Sequence, residues 1–278
     1  MAEPPTLQMV ASKSLGGAER WFMRFAAALD ECEAPAELAI RRGGGLDGHD
    51  FGRLPVHRLP YLTVWDPLSR AAVSGLIRRL RPAIVQTYMG RATRLARLPQ
   101  GPGSPVHLAR LGGYYDLGAY RHAQGWIGNT QGLCDWMVRQ GLPASRVYRI
   151  YNFADPPRPI PESELAALKE RLGIPADAWV LVALGRLVPV KGQAHLVGAL
   201  ARLPERVADR PLRLAVVGDG PLAEPLRRQA EGLGQSRRIH WAGWQKDPGP
   251  WLQLADLVVF PSLEAETLGN VILEAWSW

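Results

Sequence analysis

The sequence predicts an α/β protein made of two doubly wound, Rossmann-like domains in tandem, and three observations carry that prediction. The chain is 278 residues long and 47% hydrophobic, enough for two domains that each bury a core. Short apolar runs alternate with helix-like segments along it, the pattern of a parallel sheet wrapped by helices. Between the halves lies ADPPRPIPES, residues 154–163, a proline-rich stretch of the kind that separates domains.

In the first half, LQMVAS (7–12), AIVQTYM (83–89), VHLARL (106–111) and GWIGNT (125–130) read as strands, and ERWFMRFAAALDE (19–31) and LCDWMVRQG (133–141) as helices. In the second half, WVLVALG (179–185), LRLAVVG (212–218), RIHWAG (238–243) and DLVVFPS (256–262) read as strands separated by helix-like segments. Each of these ends in Gly or Pro-Ser turn chemistry. The division is therefore an N-terminal domain over 1–155, a proline-rich linker with a connecting helix over 156–178, and a C-terminal domain over 179–278. In doubly wound sheets ligands sit beyond the carboxyl ends of the strands, so function is expected in those turns.

Composition narrows the classes. The start, MAEPPTLQMVASK, places an acid before a short apolar segment and does not read as a signal peptide. No run of about 20 apolar residues is present, which excludes a spanning helix. Cys32 and Cys134 lie far apart without metal-ligand spacing, so neither a disulfide framework nor a zinc site is expected, and a reducing cytoplasm is. The net charge of +7 is nearly all arginine, the only lysines being Lys13, Lys169, Lys191 and Lys246. Such a balance favours an anionic partner, a nucleotide or a bilayer headgroup. A GC-rich genome would produce the same bias. A nucleic-acid binder would rest on charge alone, with no basic and aromatic module to carry it.

Three segments carry the chemistry. In GRLVPVKG (185–192), Arg186 and Lys191 emerge at a strand's carboxyl end, able to converge on one anion, while Gly185 and Gly192 permit a tight path. An ordinary basic loop reads the same way, and the segment is not a Walker loop. In GDGP (218–221), Gly218 and Gly220 bracket an acid at a strand end, where a ligand can approach the backbone or the chain can simply turn. In PSLEAETLGNVILEAWSW (261–278), a helix starting near Thr267 would aim free N–H groups around Gly269 and Asn270 at an anion. Glu266 and Glu274 would then lie roughly 12 Å apart along the axis at about 1.5 Å per residue, a figure blurred by placing Glu266 in the turn before the helix. That span suits a ligand with hydroxyls at both ends and phosphates between. The bland alternative is a dipole-complementing Glu266 and a solvated Glu274.

In order and spacing, GRLVPVKG, VVGDGPL, IHWAGW, DLVVFPS and Glu266-TLGNVIL-Glu274 resemble the donor-binding domain of retaining glycosyltransferases of the GT-B fold, in particular family 4 (group 1). The resemblance implies two Rossmann-like domains facing across a cleft. It places Arg186 and Lys191 on the donor diphosphate, Glu274 on the ribose hydroxyls, Glu266 on the transferred sugar as the catalytic residue, and Gly269 and Asn270 on the distal phosphate. In the first half, Gly16 and Gly17 of SLGGAERW resemble the family's glycine loop, and 128–153 resembles its closing strand, helix and approach to the linker. Many relatives carry a histidine at the end of a central N-domain strand; here Arg110 takes that place, and His107 and His122 read as structural. Relatives continue past the second Glu with a turn, two strands and a last helix, so the second domain is expected to be incomplete, with strand 4 of a 3-2-1-4 sheet at the edge and Val271, Ile272 and Ala275 short of cover.

The function implied is transfer of a sugar from a nucleotide-diphosphate sugar to a glycan or lipid-linked acceptor of the cell envelope, with retention. No metal or cofactor is expected: D-x-D is absent, and the leaving diphosphate would be met by Arg186, Lys191 and helix N–H groups. A cytoplasmic location with peripheral contact at the anionic inner face of the membrane is expected, and no nucleic-acid partner. The alternatives are a non-catalytic nucleotide-binding or partner protein on the same scaffold, and a nucleotide-sugar epimerase, which explains the two glutamates less well.

Overall fold

Strand β1 (Thr6–Val10) organises the first sheet because its side chains alternate: Leu7 and Met9 enter one apolar cluster and Val10 the other. The computed structural model describes residues 5–99, 101–263 and 266–278, so part of the amino-terminal segment read for targeting lies outside the described residues. The chain divides into two units, Met1–Phe153 and Ala154–Trp278.

In the first unit, β1 is followed by α1 (Gly17–Glu31), β2 (Ala36–Arg41), β3 (Val56–Leu59), α2 (Pro67–Leu80), β4 (Ile84–Tyr88), α3 (Met89–Leu95), β5 (Val106–Leu111), β6 (Gly125–Gly128), α4 (Gln131–Arg139) and β7 (Val147–Arg149). All seven strands run parallel, in the order β3-β2-β1-β4-β5-β6-β7. The four strands read from the sequence are present, as are both helices. Strands β2, β3 and β7 escaped the reading; Pro35 and Pro55 immediately before β2 and β3 are the turn signal that marks two of them.

The helices start where local chemistry permits. Asp66 caps α2, its carboxylate accepting from the N–H of Leu68 at 3.3 Å and of Ser69 at 2.8 Å, with Pro67 in the first turn. Thr130 caps α4 through Oγ1, which accepts from Leu133 N–H at 3.2 Å. Each face of the sheet is covered: Val73, Leu76, Ile77 and Leu95 pack with Leu7, Met9 and Val85, while Trp21, Phe22 and Ala26 of α1 pack with Val10, Leu38, Ile40 and Tyr88.

The second unit contains α5 (Glu162–Arg171), β8 (Trp179–Leu184), α6 (Gln193–Leu200), β9 (Arg206–Val207), β10 (Arg210–Val217), α7 (Ala223–Gly232), β11 (Ile239–Gly243), α8 (Gly249–Leu254), β12 (Leu257–Val258) and α9 (Asn270–Trp276). Its parallel strands are ordered β11-β10-β8-β12, which is 3-2-1-4 in chain order, and β9 adds a short antiparallel pairing to β10. Helix α5, which the sequence reading left in the connecting segment, belongs to this unit. Its Leu168 is buried with Ile174, Ala178, Val180 and Trp251. The main chain of Ile160 exchanges two hydrogen bonds with the Gln253 amide, at 2.8 and 3.0 Å.

Candidate active site

Parallel strands β8, β10 and β12 bring their carboxyl ends to one edge of the second sheet, and the turns leaving them hold one another in place. Gly185 N–H donates to Val217 O at 3.0 Å, Leu187 N–H to Asp219 O at 3.0 Å, and Gly218 N–H to Gly243 O at 2.8 Å. These contacts explain the glycines. A Cβ on Gly218, at φ +146°, would lie 2.0 Å from Gly185 O; one on Gly220 would lie 2.6 Å from Leu187 O. The close approach that Gly218 and Gly220 serve in this structure is therefore of backbone to backbone.

The turn after β8 closes against the segment after β12. Gly192, left-handed at φ +67°, caps α6, and a Cβ there would lie 2.0 Å from Pro261 O. Leu263 N–H donates to Val190 O at 2.8 Å. This zipper carries Lys191 to Glu266: Lys191 Nζ donates to Glu266 Oε1, with both side chains largely buried. The Lys191 ammonium also lies 5.5 Å from the centroid of the Phe260 ring.

Phe260 fixes the start of α9 as well. A Cβ on Gly269 would fall 2.2 Å from its ring, so only glycine fits there. Gly269 is extended (φ −78°, ψ 122°) and forms the cap, and the helix begins at Asn270 rather than near Thr267. That corrects the expected span. Glu266 stands outside the helix, so no axial distance applies to it, and Glu274 lies about 6 Å along the axis from Asn270 at 1.5 Å per residue. Glu274 is the buried residue of α9, while Val271, Ile272 and Ala275 are half-buried.

Arg186 is exposed; its carbonyl accepts from Gln193 Nε2 at 3.2 Å, and its guanidinium has no partner among the described residues. Gln193, Phe260 and Ser262 were not singled out from the sequence. Gln193 is buried at the first position of α6, and among the described residues its Oε1, Ser262 Oγ and Glu266 Oε2 are buried without a hydrogen-bond partner. A glutamine opening the mostly apolar QAHLVGAL was the signal available for Gln193. Lys191, Glu266 and Gly269 thus gather around Phe260, while Gly218 and Gly220 gather around 185–187.

In the first unit, Gly16 caps α1 and Gly17 opens it, after β1. The buried Glu19 in that first turn accepts from Ser12 Oγ, and a Cβ on Gly16 would meet its Oε2 at 3.0 Å. Arg110, on β5, is buried and bound: its guanidinium donates to Ile150 O at 3.0 Å and Asn152 Oδ1 at 2.8 Å and stacks 3.7 Å from the Trp21 ring centroid. Burial pulls its pKa down to about 10. His107 is fully buried, its Nε2 is 2.9 Å from Thr87 Oγ1, and burial lowers its pKa to about 3. His122 packs 5.2 Å from it, with Nε2 2.8 Å from Thr93 O. These contacts hold both rings within the first unit.

Comparison with known proteins draws these features together. The sequence model described as glycosyl transferases group 1 matches residues 178–278. The lipopolysaccharide core biosynthesis glycosyltransferase LpsE of Rhizobium meliloti is 32% identical over 265 residues, covering 94% of this chain and 73% of LpsE. LpsD of the same organism is 29% identical over 274 residues, with 94% and 72% covered. Among solved structures, Anabaena Alr3699/HepE in complex with UDP and glucose superposes with a TM-score of 0.78 at 22% identity, over 99% of this chain and 78% of that one. WaaG, a glycosyltransferase involved in lipopolysaccharide biosynthesis, superposes at 0.71 and 17% identity. Two parallel sheets with these turns at their carboxyl ends, and identity of this extent to LpsE, place the chain in the group 1 glycosyltransferases, with the GT-B fold.

Proposed function

We propose that this glycosyltransferase uses a nucleoside-diphosphate sugar as donor, bound at the carboxyl ends of β8, β10 and β12, and transfers the sugar with retention to a hydroxyl of a cell-envelope glycan or lipid-linked acceptor. The observation that carries the reading is the Lys191–Glu266 pair beside the exposed Arg186. A diphosphate arriving here meets two cations, and by taking over Lys191 it frees the Glu266 carboxylate for the sugar. Glu274 is assigned to the ribose hydroxyls, Gly269 and Asn270 to the distal phosphate, and Gly218, Gly220, Gly16 and Gly17 to backbone that approaches the ligand.

In the reaction, the bond from the anomeric carbon to the diphosphate oxygen breaks and the acceptor oxygen bonds to the same face of that carbon. The acceptor proton passes to the leaving phosphate. Arg186 and Lys191 stabilise the charge that grows on the diphosphate, fixed donors aimed where it develops. The reading needs no metal ion, since protein cations supply the charge. The names of LpsE and LpsD support an envelope glycan as acceptor, and the complexes of HepE with UDP and UDP-glucose support a nucleotide sugar as donor.

No helix among the described residues is long and apolar enough to cross a membrane. Action in the cytoplasm with peripheral contact to an anionic membrane face is proposed from the charge of +7. The deciding experiment is a donor screen that reads nucleotide release and product mass together. Acceptor product heavier by one sugar supports the transferase; binding without release supports a nucleotide-holding protein instead.

A further inference from the structure

Helix α2 and the open edge of β3 enclose a groove of about 480 Å³, lined by Val56, His57, Arg58 and Leu59 of the strand, Ala72, Gly75, Leu76 and Arg79 of the helix, and Arg42. That volume is in the range of small-ligand sites. The floor is apolar and the rim cationic. Arg58 is held by Asp47, Nε to Oδ1 at 2.7 Å, and Arg42 reaches Arg58 O at 3.3 Å. Arg79 lies 3.3 Å from His57 Nδ1. A guanidinium only donates, so Nδ1 accepts, and the ring hydrogen is on Nε2, directed at Glu37 Oε2 at 2.5 Å. Three guanidiniums thus face two carboxylates, and α2 adds Arg70 and Arg78 without a single acid.

Two further features mark the groove as built for an occupant. Gly75 sits in mid-helix, where glycine weakens the helix relative to alanine, yet a Cβ there would meet nothing within 4 Å. Packing does not demand this glycine; what it does is keep the floor deep. Secondly, the apolar floor continues into open apolar surface. Leu68, Ala72, Gly75 and Arg79 share one stripe of α2 at helical spacing. Leu68 is 67% exposed, and the turn before it presents Trp65 at 79% and Leu62 at 48%.

We propose that this groove docks the headgroup phosphate of an anionic membrane lipid, with Leu62, Trp65 and Leu68 entering the bilayer interface at its mouth. Charge chooses the occupant: a phosphodiester complements the rim arginines, and a bilayer is the partner that also takes a tryptophan and two leucines. The site lies wholly in the first unit, far in sequence from the donor residues, and it gives the peripheral membrane contact proposed above a place.

The test is flotation of the whole chain with vesicles of phosphatidylcholine alone or with added phosphatidylglycerol. Binding is expected only with phosphatidylglycerol. Arg42→Ala and Arg79→Ala should each weaken it about fivefold, the weight of one charge near an anionic surface. Gly75→Leu fills the groove with a better helix former, so it should abolish binding without lowering the unfolding temperature. Arg237→Ala, in the second unit, should change nothing. The proposal is overturned by equal binding to both vesicles or to neither, by an intact response in Gly75→Leu, by an equal loss in Arg237→Ala, or by full displacement with soluble glycerol phosphate, which would make the site one for a free phosphate ester. Donor binding, read separately by nucleotide titration, stands or falls independently.

Discussion

Lys191 donates through Nζ to the carboxylate of Glu266, joining the turn after β8 to the segment ahead of α9. The side chains are 20% and 16% exposed, so water does little to screen the pair. The two groups proposed to meet the diphosphate and the sugar therefore neutralise one another. On the proposed reading the diphosphate would replace Glu266 on Lys191, and the largely buried Glu266 carboxylate would then take its hydrogen bonds from the sugar hydroxyls.

Arg186→Ala and Lys191→Ala should each weaken binding of the nucleoside diphosphate by about 1.5–3 kcal/mol, the usual weight of a charge-assisted hydrogen bond. The free nucleoside should be affected far less. Calorimetric titration of both ligands checks this, and equal losses for the two would refute the phosphate assignment.

The two glutamates should separate by function. Glu274→Gln should chiefly weaken nucleotide binding, because a carboxylate that accepts from two hydroxyls becomes an amide with one acceptor oxygen. Glu266→Gln should leave free-nucleotide affinity nearly intact and depress transfer, since it would meet only the sugar. Titration and product formation, measured on both variants, decide the matter.

Sugar transfer should persist in excess EDTA. Loss of activity with chelator, restored by magnesium or manganese, would assign the charge opposite the diphosphate to a metal ion rather than to Arg186 and Lys191.

Gly192→Ala should destabilise the second unit more than Gly173→Ala. Both residues are left-handed, at φ +67° and +63°, and each substitution carries the strain of that conformation, roughly 1 kcal/mol. Only at Gly192 does the new Cβ also meet backbone, at 2.0 Å from Pro261 O. Urea unfolding of the two variants should show the difference, and equal midpoints would remove the close approach from the account.

Stability should fall on acidification through the neutral burial of His107. Its folded pKa of about 3 lies below the ordinary value of 6.5, so the unfolded chain takes up the proton first. The contribution is fully present above pH 6.5 and is lost as pH falls toward 3, at up to about 1.4 kcal/mol per pH unit for one proton. Urea midpoints between pH 7 and 5 should therefore decline in the parent, and less steeply in His107→Asn.

Strands were legible where both faces are buried. LRLAVVG and VHLARL are apolar runs with few interruptions, and they stand as β10 and β5. Strand β3 was not legible: it is four residues long at the sheet edge, only its Leu59 is buried, and His57 and Arg58 interrupt the apolar pattern. DLVVFPS was read as a full strand, but pairing to β8 reaches only Leu257 and Val258 before the chain turns toward Pro261.

What the sequence by itself determined is the class of fold and the residue types at the strand ends: two parallel sheets wrapped by helices, with Arg186, Lys191 and Glu266 in turns and Glu274 on the last helix. Periodicity and turn chemistry are local, and a linear pattern suffices to record them. Only the tertiary structure decided that Lys191 and Glu266, 75 residues apart, share one ion pair, that Gly218 and Gly192 serve backbone crossings, and that Phe260 sets where α9 begins. Those facts depend on which turns the sheet order brings side by side. Contact between segments distant in the chain is fixed by packing in three dimensions, and no local pattern in either segment records it.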